Sequence, residues 1–149
     1  MNMAYTSIVC GVTGSQHAQE AALRAAMLAK EHNASLTYVY AVDTTFLRSG
    51  IAMQCDTCEV AKSLDRLGGH ILAMAEEIAR SQGVTPKKVV RKGKVLEVLR
   101  SVVEEEKADL LVLGHEKRTF FEKALFQGDV EDHIEELKRQ TGVDVNVVR

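Results

Sequence analysis

The stretch Ala108–His115 reads ADLLVLGH, and it decides the fold of this chain. Four consecutive apolar residues follow Asp109 and stop at Gly114, a pattern typical of a parallel strand that is buried on both faces. In open α/β sheets, such a strand delivers its carboxyl end to a loop that can hold a ligand. The residues after Gly114 therefore indicate what this edge of the sheet can bind.

The segment after Gly114 lacks the composition of a phosphate-binding loop. Such loops are rich in glycine and small hydroxylated residues, because backbone N–H groups must closely approach the phosphate oxygens. Here residues 116–127 are mostly bulky, and the next glycine, Gly128, is followed by Asp129. A carboxylate near the start of the last predicted helix disfavours phosphate. The pattern predicts a nucleotide-binding type of fold without the nucleotide-binding chemistry.

Strand and helix patterns alternate along the chain. Short apolar runs predict five strands, and longer amphipathic or alanine-rich runs predict four helices between them. The predicted strands are residues 7–12, 36–42, 89–90, 110–113 and 143–147, and the predicted helices are residues 16–33, 60–78, 95–107 and 129–140. This order implies a doubly wound parallel sheet with right-handed crossovers. Gly68 and Gly69 interrupt the second helix and should cost it about 1 kcal/mol each relative to alanine.

Length and composition exclude several classes of protein. The chain has 149 residues, 46% of them hydrophobic, which fits one domain spanning residues 1–149. The formal net charge of -2 argues against nucleic acid and anionic membranes as partners. No apolar run approaches the roughly 18 residues of a membrane helix, and the start lacks a signal-peptide pattern. Since three cysteines do not form a secreted disulfide framework, we expect a cytoplasmic protein.

Motifs spread over essentially the whole chain are similar to those of universal stress protein domains. They are the first strand leading into Gly14-Ser15, Lys92-Gly93 ahead of the third helix, the ADLLVLG strand and the valine-rich last strand. The resemblance implies a three-layer α/β/α fold, Rossmann-like and of the adenine nucleotide alpha hydrolase type. It implies a five-stranded parallel sheet in the order 3-2-1-4-5, and a stress-response protein that is not an enzyme.

The ATP-binding members of this family carry G-x2-G-x9-G-[ST] after the fourth strand, and usually an aspartate at the end of the first. Here Gly114 matches the first glycine and Lys117 replaces the second, while Thr13 replaces the aspartate. The final pair reads as Gln127-Gly128, or as Gly128-Asp129 if one residue is inserted. Gly114-His115, followed by FFEKAL at residues 120–125, is instead similar to the universal stress protein A subgroup. That subgroup forms dimers and lacks the ATP motif, which implies a homodimer without a cofactor.

A nucleotide remains the alternative ligand. In that interpretation, Lys117 and Arg118 would replace backbone amides as phosphate ligands of ATP or AMP. Gly14-Ser15 could orient a phosphate at the start of the first helix, but the favoured interpretation is that Ser15 caps this helix and Gly14 is a turn residue. The residues expected to contact a bound nucleotide are Val12, Thr13, Gly14, Ser15, Val42, Gly114, His115, Lys117, Gly128 and Asp129.

The segment Cys55-Asp56-Thr57-Cys58 lies outside the motifs that carry the resemblance. A C-x-x-C at a helix N-terminus can have a lowered thiol pKa and take part in redox exchange. A zinc site would need two further ligands. Alternatively, Asp56 caps the helix and the thiols are incidental. A thiol redox switch and a metal site at Cys55 and Cys58 are therefore the weaker alternatives.

Two further patterns concern the edges of the predicted sheet. Val143, Val145 and Val147 alternate with polar residues in the last strand, and an edge strand of this kind can pair with its own copy. We therefore predict that these valines form a homodimer interface, in addition to contacts with a protein partner that the sequence does not name. The third strand carries a basic cluster, predicted to be either a solvated edge or an anion-binding patch: Lys87, Lys88, Arg91, Lys92 and Lys94.

Overall fold

The computed structural model describes residues 5–12, 16–42, 57–114 and 134–148. The strands in these ranges are β1 (Ser7–Gly11), β2 (Ser35–Val42), β3 (Lys87–Lys92), β4 (Leu110–Gly114) and β5 (Asp144–Val148). The helices are α1 (Gln16–His32), α2 (Thr57–Ser81), α3 (Val95–Glu105) and α4 (Ile134–Thr141). The predicted alternation of strands and helices is confirmed for this part of the chain.

All five strands are parallel and lie in the order β3-β2-β1-β4-β5. The chain begins in the middle of the sheet, proceeds outward to β2 and β3, and then crosses back to β4 and β5. The predicted strand order is therefore confirmed. It leaves β3 and β5 at the two edges and places the reversal of direction between β1 and β4.

Helices cover both faces of the sheet. α1 and α2 pack on one face, where the small side chains of Ala22, Ala25 and Ala26 bring α1 close to the strands. α3 and α4 pack on the other face, and Leu137 of α4 is buried there. β1 supplies both layers, since Ile8 faces the first cluster and its neighbour Val9 faces the second. This arrangement confirms the predicted three-layer architecture.

Helix ends differ from the predicted bounds for a local reason. α1 ends at His32 because Asn33 adopts a left-handed conformation with φ of 53°, and α3 ends at Glu105 just before Lys107 with φ of 51°. In both cases the next amide closes the helix, as the Ala34 N–H does by donating to the Ala29 carbonyl at 2.9 Å. The predicted helix of residues 129–140 is described from 134 onward and ends at Thr141, while residues 129–133 lie outside the described ranges.

Asp109 joins the amino ends of three strands. Its carboxylate accepts the backbone N–H groups of Thr6 at 2.9 Å and Ser7 at 3.0 Å, together with the Thr6 hydroxyl. Its own N–H donates to the Ser7 carbonyl, and its carbonyl accepts the N–H of Asp144. Partial burial acts to raise the pKa of the Asp109 carboxyl, but the bonds from Thr6 and Ser7 outweigh it and hold that pKa below its ordinary value.

Gly68 allows α2 to pack directly on an aromatic side chain of β2. A Cβ atom at position 68 would lie 2.6 Å from Cδ1 of Tyr40, closer than two carbon atoms can approach. The neighbouring Gly69 is exposed, and a Cβ atom there would meet nothing within 4 Å. The two glycines that weaken the helix pattern therefore differ, since only the first has a packing role.

Replacing Asp109 with asparagine should lower the free energy of unfolding by about 1–3 kcal/mol at neutral pH, because an amide cannot accept bonds at both positions. The folded-state pKa lies below the unfolded value of about 3.9. The carboxylate's contribution is therefore fully present above that value and is lost as pH falls through the folded-state pKa. Urea unfolding at a series of pH values should show that the difference in unfolding free energy between the two proteins narrows towards about pH 3. If this difference does not change with pH, the charge of the Asp109 carboxylate does not contribute to stability.

Gly68→Ala and Gly69→Ala form a matched pair of variants. Gly69→Ala should raise the free energy of unfolding by about 1 kcal/mol, since alanine is the better helix former. Gly68→Ala should lower it by about 1 kcal/mol or more, because the added methyl group overlaps the Tyr40 ring. Urea unfolding measures both, and Tyr40→Leu in the Gly68→Ala background should recover part of the loss. Equal stabilisation by both alanines would show that the Tyr40 contact is not tight.

Candidate functional site

The candidate ligand site lies where the sheet reverses direction, between β1 and β4. The two strands pair in register, with Cys10 beside Val112 and Gly11 beside Leu113. Chain connections leave their carboxyl ends in opposite directions, which opens a crevice at this point in doubly wound sheets. The described floor of that crevice consists of the last residues of the two strands and Val12.

The described floor is apolar and closely packed. Val12 is 4% exposed and packs in the core cluster beneath α1 and α2. Gly11 lies close to two leucine side chains, since a Cβ atom there would be 2.9 Å from Cδ2 of Leu113 and 3.2 Å from Cδ2 of Leu99. Within the described ranges, the last residues of these two strands include no Asp, Glu, His, Lys or Arg, and the Cys10 thiol is buried.

Two predicted nucleotide contacts already use their polar backbone groups within the protein. The Val12 N–H donates to the Val39 carbonyl at 2.9 Å, and the Val42 carbonyl accepts the Gly93 N–H at 2.9 Å. The side chain of Val42 is 2% exposed. Both residues lie at the predicted edge of the sheet, but in this conformation neither presents its side chain to a ligand.

Gly114 ends β4 as predicted, is half-buried and pairs with Val148 of β5. It is the last described residue before α4. The other predicted contacts lie outside the described residues: Thr13, Gly14, Ser15, His115, Lys117, Gly128 and Asp129.

β5 is the second candidate site, because it forms an edge of the sheet. Val145 packs partly against the cluster under α3 and α4, and Val147 is also only partly buried. Val143 differs from this prediction: it precedes β5, is 2% exposed and packs within its own chain. Any contact with a second copy would therefore use Val145 and Val147, while the side chain of Val143 belongs to the core.

A groove of about 440 Å³ runs beside β5, and its lining includes Leu28 of α1 and Lys138 of α4. Tyr5 and Leu28 form apolar walls, and the Tyr5 hydroxyl donates to Asp144 Oδ2 at 3.2 Å. Partial burial, the charge of Asp144 and this bond raise the pKa of Tyr5, so the hydroxyl remains a donor. No local sequence pattern predicts this contact, because 139 positions separate Tyr5 from Asp144.

The model of the universal stress protein family matches residues 4–149 of this chain. The chain belongs to the universal stress protein family. It is thus a protein of the stress-response type with the Rossmann-like α/β fold of that family. None of the curated proteins matches the chain significantly.

Solved universal stress proteins share the fold over nearly the full length. A universal stress protein in complex with cAMP is 25% identical, with a TM-score of 0.67 over 99% of this chain and 98% of that chain. UspA from Lactobacillus plantarum is 20% identical, with a TM-score of 0.75 over 99% and 100% of the two chains. A universal stress protein from Archaeoglobus fulgidus in complex with dAMP is 14% identical, with a TM-score of 0.65 over 99% and 100%.

Family membership does not explain the cysteine pair. Cys58 is the second residue of α2, as predicted for a helix opening, while Cys55 lies outside the described residues. Cys10 is fully buried in β1, and burial raises the pKa of its thiol, which makes it unreactive. Among the side chains that the structure describes, no group of three or more His, Cys, Asp or Glu residues could hold a metal ion.

The basic cluster occupies edge strand β3, and several of its charges are neutralised within the protein. Lys87 pairs with Glu106 at 2.6 Å, Lys88 pairs with Glu76 at 3.2 Å, and Arg91 pairs with Glu105. Glu76 belongs to α2 on one side of the strand, while Glu105 ends α3 on the other side and Glu106 follows it. This favours the interpretation as a charged edge over that of an anion-binding patch. In the described ranges, no helix is long and apolar enough to cross a membrane.

Proposed function

We propose that this universal stress protein is a non-enzymatic regulatory protein that acts as a cytoplasmic homodimer through protein contacts, with a degenerate nucleotide site. The observation that carries the proposal is the open edge of β5, where no described strand pairs with the outer side. An unpaired edge bearing partly buried valines is a template for strand pairing. Pairing with a second copy would satisfy the edge and close the assembly.

Backbone directions support this role for β5. The Asp144 N–H donates to the Asp109 carbonyl at 3.2 Å, so the backbone groups of Asp144 point towards β4. Since successive residues of a strand point their amides to alternate sides, those of Asn146 also face β4. The N–H and C=O groups of Val145 and Val147 then face the open edge. A partner strand could therefore exchange backbone hydrogen bonds with Val145 and Val147.

Loss of nucleotide binding is supported by the sequence of the loop after β4. Lys117 stands where the ATP motif has a glycine that permits close backbone approach, and Asp129 adds a negative charge near the expected phosphate position. Loss of nucleotide binding is also supported by the Val12 N–H and the Val42 carbonyl, which already form hydrogen bonds within the protein. These features support placement with the subgroup that lacks the ATP motif.

A nucleotide sensor is the second candidate function. It is favoured by two similar solved structures, which are universal stress proteins in complex with cAMP and dAMP. In this chain, Lys117 and Arg118 would then supply phosphate contacts by charge, with AMP or ATP as the ligand. A thiol switch at Cys55 and Cys58 is a weaker third candidate, supported by the position of Cys58 in the first turn of α2.

Calorimetric titration tests the proposed loss of nucleotide binding. Mg-ATP, AMP and cAMP should each bind with dissociation constants above about 100 μM, that is, more weakly than about -5.5 kcal/mol. Lys117→Gly combined with Asp129→Ser restores the two residue types of the ATP motif and should strengthen binding by about tenfold or more. Submicromolar binding by the unchanged protein would overturn the proposal in favour of the sensor.

Proline substitutions test the homodimer. Val145→Pro and Val147→Pro each remove an amide that faces the open edge, and should yield a folded monomer by light scattering and circular dichroism. Asn146→Pro is the matched control, because it removes an amide bonded to β4 and should unfold or destabilise the sheet. If the unchanged protein is monomeric at micromolar concentration, or the Val145→Pro and Val147→Pro variants remain dimeric, β5 is not the interface.

A further inference from the structure

The directions of the backbone groups restrict how two β5 strands can pair about a two-fold axis. In antiparallel pairing, residues that exchange both hydrogen bonds must both point to the shared edge. In β5 these residues are Val145 and Val147. A residue on the two-fold axis faces its own copy, so each possible register of β5 is named by that residue: Asp144, Val145, Asn146, Val147 or Val148.

Four of the five registers are unfavourable. With Asp144 on the axis, two carboxylates would face each other at about 5 Å, which is destabilising. With Val145 on the axis, Val147 would need Val143 as its partner, but Val143 lies before the strand and is buried in its own chain. With Val147 on the axis, Val145 would need Arg149 as its partner, which follows the end of the strand, and Asp144 would have no partner. With Val148 on the axis, Val147 would need Arg149 and residues 144–146 would be unpaired.

With Asn146 on the axis, all five residues of β5 are paired. Val145 would then lie opposite Val147 of the partner subunit on the α3 and α4 side, an arrangement that suits β-branched side chains. Each Asn146 carboxamide has donors and an acceptor, so it can bond to its own copy. Asp144 would lie opposite Val148 of the partner subunit, beside the apolar walls of Tyr5 and Leu28 in the groove.

We propose that Asn146 lies on the molecular two-fold axis and faces its own copy across the dimer. This inference rests on the proposed homodimer, and it defines the register of the interface. The groove along β5 has room for the valine side chain that this register brings to it. Asn146 therefore specifies the register, while the valines on either side supply the apolar contact.

Disulfide trapping tests the register. In a Cys55→Ser, Cys58→Ser background the remaining thiol is that of Cys10, which is buried. Asn146→Cys in this background should give nearly complete covalent dimer on mild oxidation, because paired residues at a non-hydrogen-bonded position lie about 4.5 Å apart between Cα atoms. Val145→Cys and Val147→Cys are the matched controls. Each lies roughly 8 Å from its own copy in this register and should not cross-link.

A second variant gives an independent readout without oxidation. Asn146→Asp would place two carboxylates against each other on the axis, and should weaken the dimer by about tenfold or more at pH 8 relative to about pH 4. Light scattering at both pH values measures this, with the unchanged protein as the control. Cross-linking of Asn146→Cys together with pH-dependent dissociation of Asn146→Asp supports the register.

The remaining outcomes separate a wrong register from a wrong function. If light scattering shows a dimer but only Val145→Cys or Val147→Cys cross-links, the register is overturned while the homodimer stands. If the unchanged protein is dimeric and none of the three variants cross-links, the interface lies away from β5 and the inference fails. If the unchanged protein is monomeric, the proposed homodimer fails, and the register fails with it.

Discussion

The hydrogen bonds of Asp109 are the constraint on which the rest of the sheet depends. One residue binds the backbone of β1 through its carboxylate and its amide, and binds the start of β5 through its carbonyl. These bonds set the register of three neighbouring strands at their amino ends. Because a strand is stiff, the same register holds roughly 13 Å away at the carboxyl ends, where Gly11 meets Leu113.

The bonds of Asp109 determine the geometry of both candidate surfaces, the crevice between β1 and β4 and the open edge of β5. At the switch point, the register brings Gly11 against Leu113 and so fixes the floor of the crevice. At the edge, the bond from the Asp144 amide determines which residues of β5 point outward. A shift of one residue at Asp109 would turn Val145 towards β4 and expose a different set of amides.

Patterns that depend on burial predicted the fold well. β4 and α1 were recognisable because their side chains are buried on several sides, as an apolar run and as an alanine-rich helix. β3 was predicted only as Val89 and Val90, whereas it extends from Lys87 to Lys92. Its charged residues lie on an edge and bond to helix carboxylates, so the strand has little of the apolar composition that marks the interior strands.

The sequence located the candidate sites but not their details, because those depend on contacts between distant residues. The carboxyl edge of β1 and β4 could be predicted from strand order alone. That the Val12 amide is already bonded to Val39 depends on the register of β2, which no local pattern encodes. The alternation of Val143 with Val145 correctly predicts one shared face, since both pack in the cluster under α3 and α4, but it does not show that Val143 is buried within its own chain. Val143 precedes the strand and packs in the core with residues of α3 and Leu137 of α4, which are distant contacts or contacts across a turn.

The two edges of the sheet differ in composition, and this difference affects how many copies could assemble through strand pairing. A sheet with two bare edges can add strands on both sides and grow into a fibre. In this chain β3 is lined by lysines and an arginine that are paired with the flanking helices, whereas β5 carries valines. If a second copy adds its strand to β5, the only edges left in the described sheet are two charged β3 strands, so strand addition would end at two copies. The charged side chains of β3 therefore disfavour a further strand at that edge.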